Sequence, residues 1–94
     1  MKTIHKFRLI ADDSTQELRI PEEAALIWAE YVLHEKKLFL WAELEAEESI
    51  TRTDAVRRFR VFSTGKGIPD NAVYVKTCYN HIETRSYHIY ELVD

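Results

Sequence analysis

Four basic side chains, Arg57, Arg58, Arg60 and Lys66, stand close together in the chain, and its two glycines, Gly65 and Gly67, flank the last of them. In an extended Arg57-Arg58-Phe59-Arg60-Val61-Phe62, alternation turns Arg58 and Arg60 to one side and Phe59 and Val61 to the other. A row of guanidinium groups leading into a glycine turn is chemistry for receiving an anion. The guanidinium forks match carboxylate or phosphate oxygens, and the turn offers backbone N–H groups and the Lys66 ammonium. Two plainer readings compete with this one. Thr64-Gly65-Lys66-Gly67 lacks the GxxxxGK[ST] spacing of a phosphate-binding loop, and a turn that needs left-handed backbone would use glycine anyway. Alternate arginines on a sheet face also pair with acidic neighbours across strands, and the run Glu43, Glu45, Glu47 and Glu48 is the expected supplier.

The remaining reactive side chains form no complete set. His5, His34, His81 and His88 show neither H-x-x-x-H nor Cys/His spacing, so neither a metal site nor a cofactor is expected. His88, between Tyr87 and Ile89, is the histidine best placed to take part in binding. Cys78, the single cysteine, reads as a small buried hydrophobe. It would act as a nucleophile with His88 only if both side chains met on one face. With no catalytic signature, the chain reads as non-enzymatic.

Composition bounds the rest. Ninety-four residues, 46% hydrophobic and 31% charged, describe one globular domain over 1–94, with no room for a second core. Eleven aromatic residues, five Tyr, four Phe and two Trp, favour sheet. The net charge of −3 argues against general nucleic-acid binding, although a local anion site remains open. A lone cysteine suits a reducing compartment. Met1-Lys2-Thr3-Ile4-His5-Lys6 is not followed by an apolar run, and the longest such run, Ala24 to Ala29, is too short to span a bilayer. The expectation is a cytoplasmic protein without membrane contact.

The elements that position the basic row follow from periodicity. Residues 3–10 place His5, Phe7 and Leu9 on one side, and 16–20 place Leu18 and Ile20 inward. With the turn cluster Ala11-Asp12-Asp13-Ser14-Thr15 between them, the simplest reading is a first hairpin. Residues 22–48 are ambiguous. Pro21-Glu22-Glu23 is a sound helix start, and Ala, Leu and Glu favour helix, which keeps an α+β fold open. As strands, Leu38, Leu40, Ala42 and Leu44 line one face, opposite Phe39, Trp41, Glu43 and Glu45. Ala25, Ile27, Ala29, Tyr31 and Leu33 likewise alternate with Leu26, Trp28, Glu30 and Val32. His34-Glu35-Lys36-Lys37 would then be a connection without the usual glycine. Residues 45–54 read as a long surface loop, Val73 to Tyr79 as a strand, Asn80 to Thr84 as a turn and Tyr87 to Val93 as the last strand.

Several pieces together resemble a known family: Met1-Lys2-Thr3-Ile4-His5-Lys6, Leu40-Trp41-Ala42, Arg57-Arg58-Phe59-Arg60-Val61 leading to Thr64-Gly65 and Ile68-Pro69, Tyr74-Val75-Lys76-Thr77, and Tyr87-His88-Ile89-Tyr90-Glu91. They are similar to small proteins encoded by bacteriophages and prophages. The resemblance implies a mostly β domain with a hairpin over 26–44, and it implies no reaction.

The expected fold is therefore mostly β: a small antiparallel sheet or sandwich of six to seven strands built from hairpins, with little helix. The expected function is contact with a host or phage protein, with inhibition of a bacterial defence system as one form. The alternative is a binder of an anionic small molecule such as a nucleotide. The candidate contact residues are Arg58, Arg60, Lys66, Gly65, Gly67, His88 and Trp41. Phe39 and Trp41, left over on the second face of their strand, point to a homodimer. The aromatic face around Trp28, Phe39 and Trp41 is the alternative site.

Overall fold

The most apolar strand sits at the centre of its sheet. In the computed structural model, which describes residues 1–46 and 55–93, β4 (Lys37–Glu45) pairs with β1 (Lys2–Leu9) on one side and β3 (Ala25–Val32) on the other, both antiparallel. A second sheet has the order β2-β5-β7-β6, from β2 (Gln16–Leu18), β5 (Arg57–Ser63), β6 (Ala72–Asn80) and β7 (Arg85–Leu92). The Cα envelope is 16 Å thick, which fits two sheets packed face to face about 10 Å apart. The domain is all β: seven strands in two antiparallel sheets, with no helix among the described residues.

Alternation fills the space between the sheets. Leu38, Leu40, Ala42 and Leu44 from β4 meet Phe59 and Val61 from β5, Tyr87 and Ile89 from β7 and Cys78 from β6, all buried. Tyr31 of the first sheet stacks on Tyr87 of the second at 5.2 Å. Glu22 to Glu48 thus overrides its helix propensity over 25–45, since the 38–44 alternation buries four side chains that a helix would spread round its circumference. The connection is Leu33–Lys36, one residue earlier than the spacing predicts. Lys36 takes the left-handed position (φ 55°) usually held by glycine.

Two sequence expectations are corrected. The first hairpin does not form: β1 pairs with β4 and β2 with β5, in different sheets. The Gln16 side chain explains how the chain parts. Its amide nitrogen donates to the Ile10 carbonyl and its Oε1 accepts from the Ile10 N–H, both at 2.8 Å. A side chain thereby satisfies backbone groups that a neighbouring strand would otherwise have to reach. Asp12 accepts from the Ser14 N–H at 3.0 Å, as the turn chemistry predicts, and the chain crosses to the second sheet. The strict alternation of β3 fails as well. A bulge between Leu26 and Trp28 sets Leu26 opposite Ala42 and Trp28 opposite Trp41, so Leu26, not Ile27, packs against the core. One extra residue in a strand reverses the facing of everything on one side of it.

The two turn glycines are not equivalent. Gly65 has φ 94°, whereas Gly67 is not in the left-handed region, and neither would bring an added Cβ within 4 Å of another group. Gly65→Ala should therefore cost about 1 kcal/mol through backbone strain alone, and Gly67→Ala should stay within about 0.5 kcal/mol of wild type. Urea titration of both variants checks the contrast.

Candidate functional site

The predicted basic cluster separates into side chains with different roles. Arg57 belongs to the architecture. It faces inward with Phe59 and forms a two-pronged ion pair with Glu91, Nε to Oε2 and Nη2 to Oε1, both at 2.7 Å. Its Nη1 donates to the carbonyls of Pro21 and Ala24 at 3.2 and 2.9 Å. Two members of the acidic run have other partners: Glu43 reaches Lys2 and Glu45 the Met1 amino group, each at 3.5 Å. Glu47 and Glu48 lie outside the described residues. Arg58 stands across from Glu17 in the β2–β5 register.

Arg60 is different. Its guanidinium lies over the Phe62 ring, 4.7 Å from the centroid, and its Nε is buried without a hydrogen-bond partner. No carboxylate among the described residues forms an ion pair with it. Phe62 is 1% exposed although it points away from the core. Arg60 covers it from one side, and Tyr90 meets it edge-on at 5.5 Å. A cation held on an aromatic face is fixed in orientation, and its remaining N–H donors stay available for a planar oxyanion.

Register carries this arrangement across the outer face of the second sheet. Arg60 pairs with Tyr90, and Tyr90 pairs on its other side with Tyr74, giving one row over three strands. The next row is Phe62, His88 and Thr77. Tyr74 and Tyr90 meet edge to face at 5.5 Å, with Tyr74 56% exposed. The polar groups of the two rows link up. The Tyr74 hydroxyl donates to Thr77 Oγ1 at 2.9 Å, Thr77 Oγ1 lies 3.0 Å from His88 Nδ1, and His88 Nε2 lies 2.8 Å from Thr64 Oγ1. A neutral imidazole satisfies both contacts, one nitrogen donating and the other accepting.

The structure thus brings Arg58, Arg60 and His88 to one face, and Thr64, bonded to His88, leads directly into the turn with Gly65, Lys66 and Gly67. Trp41 is apart from them on the outer face of the first sheet. There it stands opposite Trp28 and tilts against Phe39 at 6.1 Å. Phe39 is itself 7% exposed, with the Lys6 ammonium 4.4 Å above its ring. Of that aromatic group Trp28 is the open member, 51% exposed, with Lys76 at 4.1 Å from its ring.

Sequence reading missed Tyr74, Thr77 and Tyr90. Period-two alternation in β7 already groups Tyr90 with His88. In β6 the same rule fails, because a bulge between Tyr74 and Lys76 places residues three apart, Tyr74 and Thr77, on the same face.

Cys78 and His88 are on opposite faces. Cys78 pairs with Tyr87 and points into the core, 5% exposed, while His88 points outward. Burial pushes the Cys78 thiol up to about 11, so at neutral pH it is a protonated, enclosed thiol and a poor nucleophile. It should react with a thiol reagent at pH 8 only as the domain opens, with the rate rising steeply in denaturant. Fast labelling of the native protein would show that the site is open. No three His, Cys, Asp or Glu side chains among the described residues come together as a metal site. No helix among the described residues is long and apolar enough to cross a membrane.

No curated protein and no solved structure matches the chain. Its family, however, is identified along its whole length: over residues 1–94 the chain belongs to DUF7352, a domain of unknown function.

Proposed function

We propose that the protein is a non-enzymatic interaction module that contacts a partner protein through the outer face of its second sheet. The observation that carries this reading is the unpaired, half-buried Arg60 at the head of the row Arg60, Tyr90, Tyr74. Arginine and tyrosine anchors of this kind dominate contact energies because they combine buried area with directed donors. A guanidinium without an internal counter-ion gains most when a partner supplies one. The resemblance of the Arg57 to Val61 and Tyr87 to Glu91 segments to phage-encoded proteins supports a setting in the cytoplasm of an infected bacterium. Inhibition of a host defence component by contact is the form of activity this setting favours.

The test compares two baits. Tagged wild-type protein and the double variant Arg60→Ala, Tyr74→Ala are each used to capture partners from bacterial lysate, with mass spectrometry of what is retained. Neither substitution removes a core side chain, so both baits should unfold within about 1 kcal/mol of each other. A protein retained by wild type and lost from the variant supports the reading. The same retention by both baits places the contact elsewhere, with the Trp28 and Trp41 face as the next candidate.

A further inference from the structure

We propose that this face takes a nucleoside monophosphate, with Arg60 receiving the phosphate and the Tyr74–Tyr90 pair receiving the base. The proposal rests on the contact face argued above and names a ligand class for it.

Arg60 sets the phosphate end. Several other cationic side chains have partners: Arg57 has Glu91, Lys2 has Glu43, Lys6 the Phe39 ring and Lys76 the Trp28 ring. Arg58 faces Glu17. Arg60 has only the ring beneath it, and its buried Nε has no acceptor. Buried donors are nearly always paired in native proteins, so an orphan on a preoriented guanidinium marks the place where an acceptor is missing. A phosphate fits the guanidinium fork, two oxygens to two N–H groups.

Tyr74 sets the other end. It lies two strands from Arg60, a lateral distance of about 10 Å at ordinary strand spacing, with Tyr90 between them in the same cross-strand row. One nucleotide spans that distance from its phosphate to the far edge of its base. Tyr74 is held by its hydroxyl bond to Thr77 and keeps more than half of its surface open. A base can therefore stack on it, an interaction that tolerates any base because each has a π face. The Thr77–His88–Thr64 string beside the row offers hydroxyl and imidazole groups to ribose or base edges. A longer polyanion is disfavoured: the row holds a single unpaired guanidinium, and the chain carries a net charge of −3.

The experiment is an NMR titration of the ¹⁵N-labelled protein, including arginine side-chain Nε–H signals, with AMP, UMP, adenosine and inorganic phosphate in separate arms. AMP and UMP should move the Arg60 Nε–H, Tyr74 and Tyr90 signals along saturable curves, while adenosine and phosphate each bind more weakly than AMP. Arg60→Ala should weaken AMP by about tenfold or more, the loss expected for one charged hydrogen-bonded contact. Arg60→Lys, which keeps the charge and loses the fork, should fall between. Tyr74→Ala should weaken AMP and leave inorganic phosphate unchanged.

The proposal is overturned by no shift of Arg60 with either nucleotide at millimolar concentration, by phosphate binding as tightly as AMP, or by AMP binding unchanged in Arg60→Ala. Those results leave the capture experiment untouched: a partner protein still lost from the double variant would mean that the face binds protein and not nucleotide. Nucleotide binding that depends on Arg60, with no protein lost from the variant bait, would retain this inference and remove the protein-contact reading.

Discussion

Arg57→Ala should destabilise the domain by about 3–5 kcal/mol, the range for removing one partner from a buried ion pair. The Arg57 and Glu91 side chains are only 14% and 17% exposed. The substitution would strand the Glu91 carboxylate against the core and release the Pro21 and Ala24 carbonyls at the same time. Those two carbonyls belong to the segment that carries the chain from the second sheet back to the first, so Arg57 holds the crossing as well as the charge. Against a total stability of about 5–15 kcal/mol for a domain of ordinary size, the variant should be partly unfolded at 37 °C. Urea unfolding followed by tryptophan fluorescence measures the loss. A change below 1 kcal/mol would show that Glu91 finds solvent or another partner when Arg57 is gone. Arg57→Lys should recover little, because an ammonium cannot make both prongs and reach the carbonyls together.

Phe59→Ala should cost a similar amount, about 3–5 kcal/mol, for a different reason. Phe59 is fully buried on β5, next to β2 on one side and β7 on the other, and faces the first sheet. Truncation removes the ring's transfer energy and leaves a cavity that strands held on both sides cannot close. Phe62→Ala is the informative comparison. Phe62 is nearly as buried, but it sits outside the core beneath Arg60 and Tyr90, which can settle into the gap. Its loss should be smaller, and it should release the Arg60 guanidinium from its fixed orientation.

How far the sequence revealed the fold depended on whether a signal was local. Leu38, Leu40, Ala42 and Leu44 announced β4, and Phe59 and Val61 announced β5, because burial on one face imposes period two over a few residues. The two bulges were hidden, since an extra residue at Ile27 or Val75 leaves no mark in composition. Each one reversed the facing of its neighbours, and Tyr74 was lost from the site for that reason. The turns at 11–15 and 80–84 were legible in composition, although non-glycine residues take the left-handed backbone in them. Asp13, Lys36 and Thr84 all have positive φ, and Gly67 does not need its freedom. The first hairpin was misread because Gln16 caps Ile10 through its side chain, a substitution for strand pairing that looks from sequence like ordinary alternation.

The site was legible in part for the same reasons. Arg58 and Arg60 were placed correctly on an outer face by alternation alone. That Arg57 is structural while Arg60 is unpaired could not be read, because the deciding partners are far along the chain: Glu91 lies 34 residues from Arg57. Likewise His88 gained its meaning from Thr77 and Thr64, 11 and 24 residues away. Long-range register, and not residue type, separated Arg57 from Arg60.

The claim that the outer face of the second sheet is the contact surface is tested most directly by mapping a captured partner onto the labelled domain. Backbone amide signals are recorded with and without the partner. Broadening or shifts should concentrate at Arg58, Arg60, Phe62, Thr77, His88 and Tyr90, and Ile4, Trp28 and Trp41 on the opposite face should stay unchanged. Perturbation centred on Trp28 and Trp41, with the Arg60 row silent, would contradict the account.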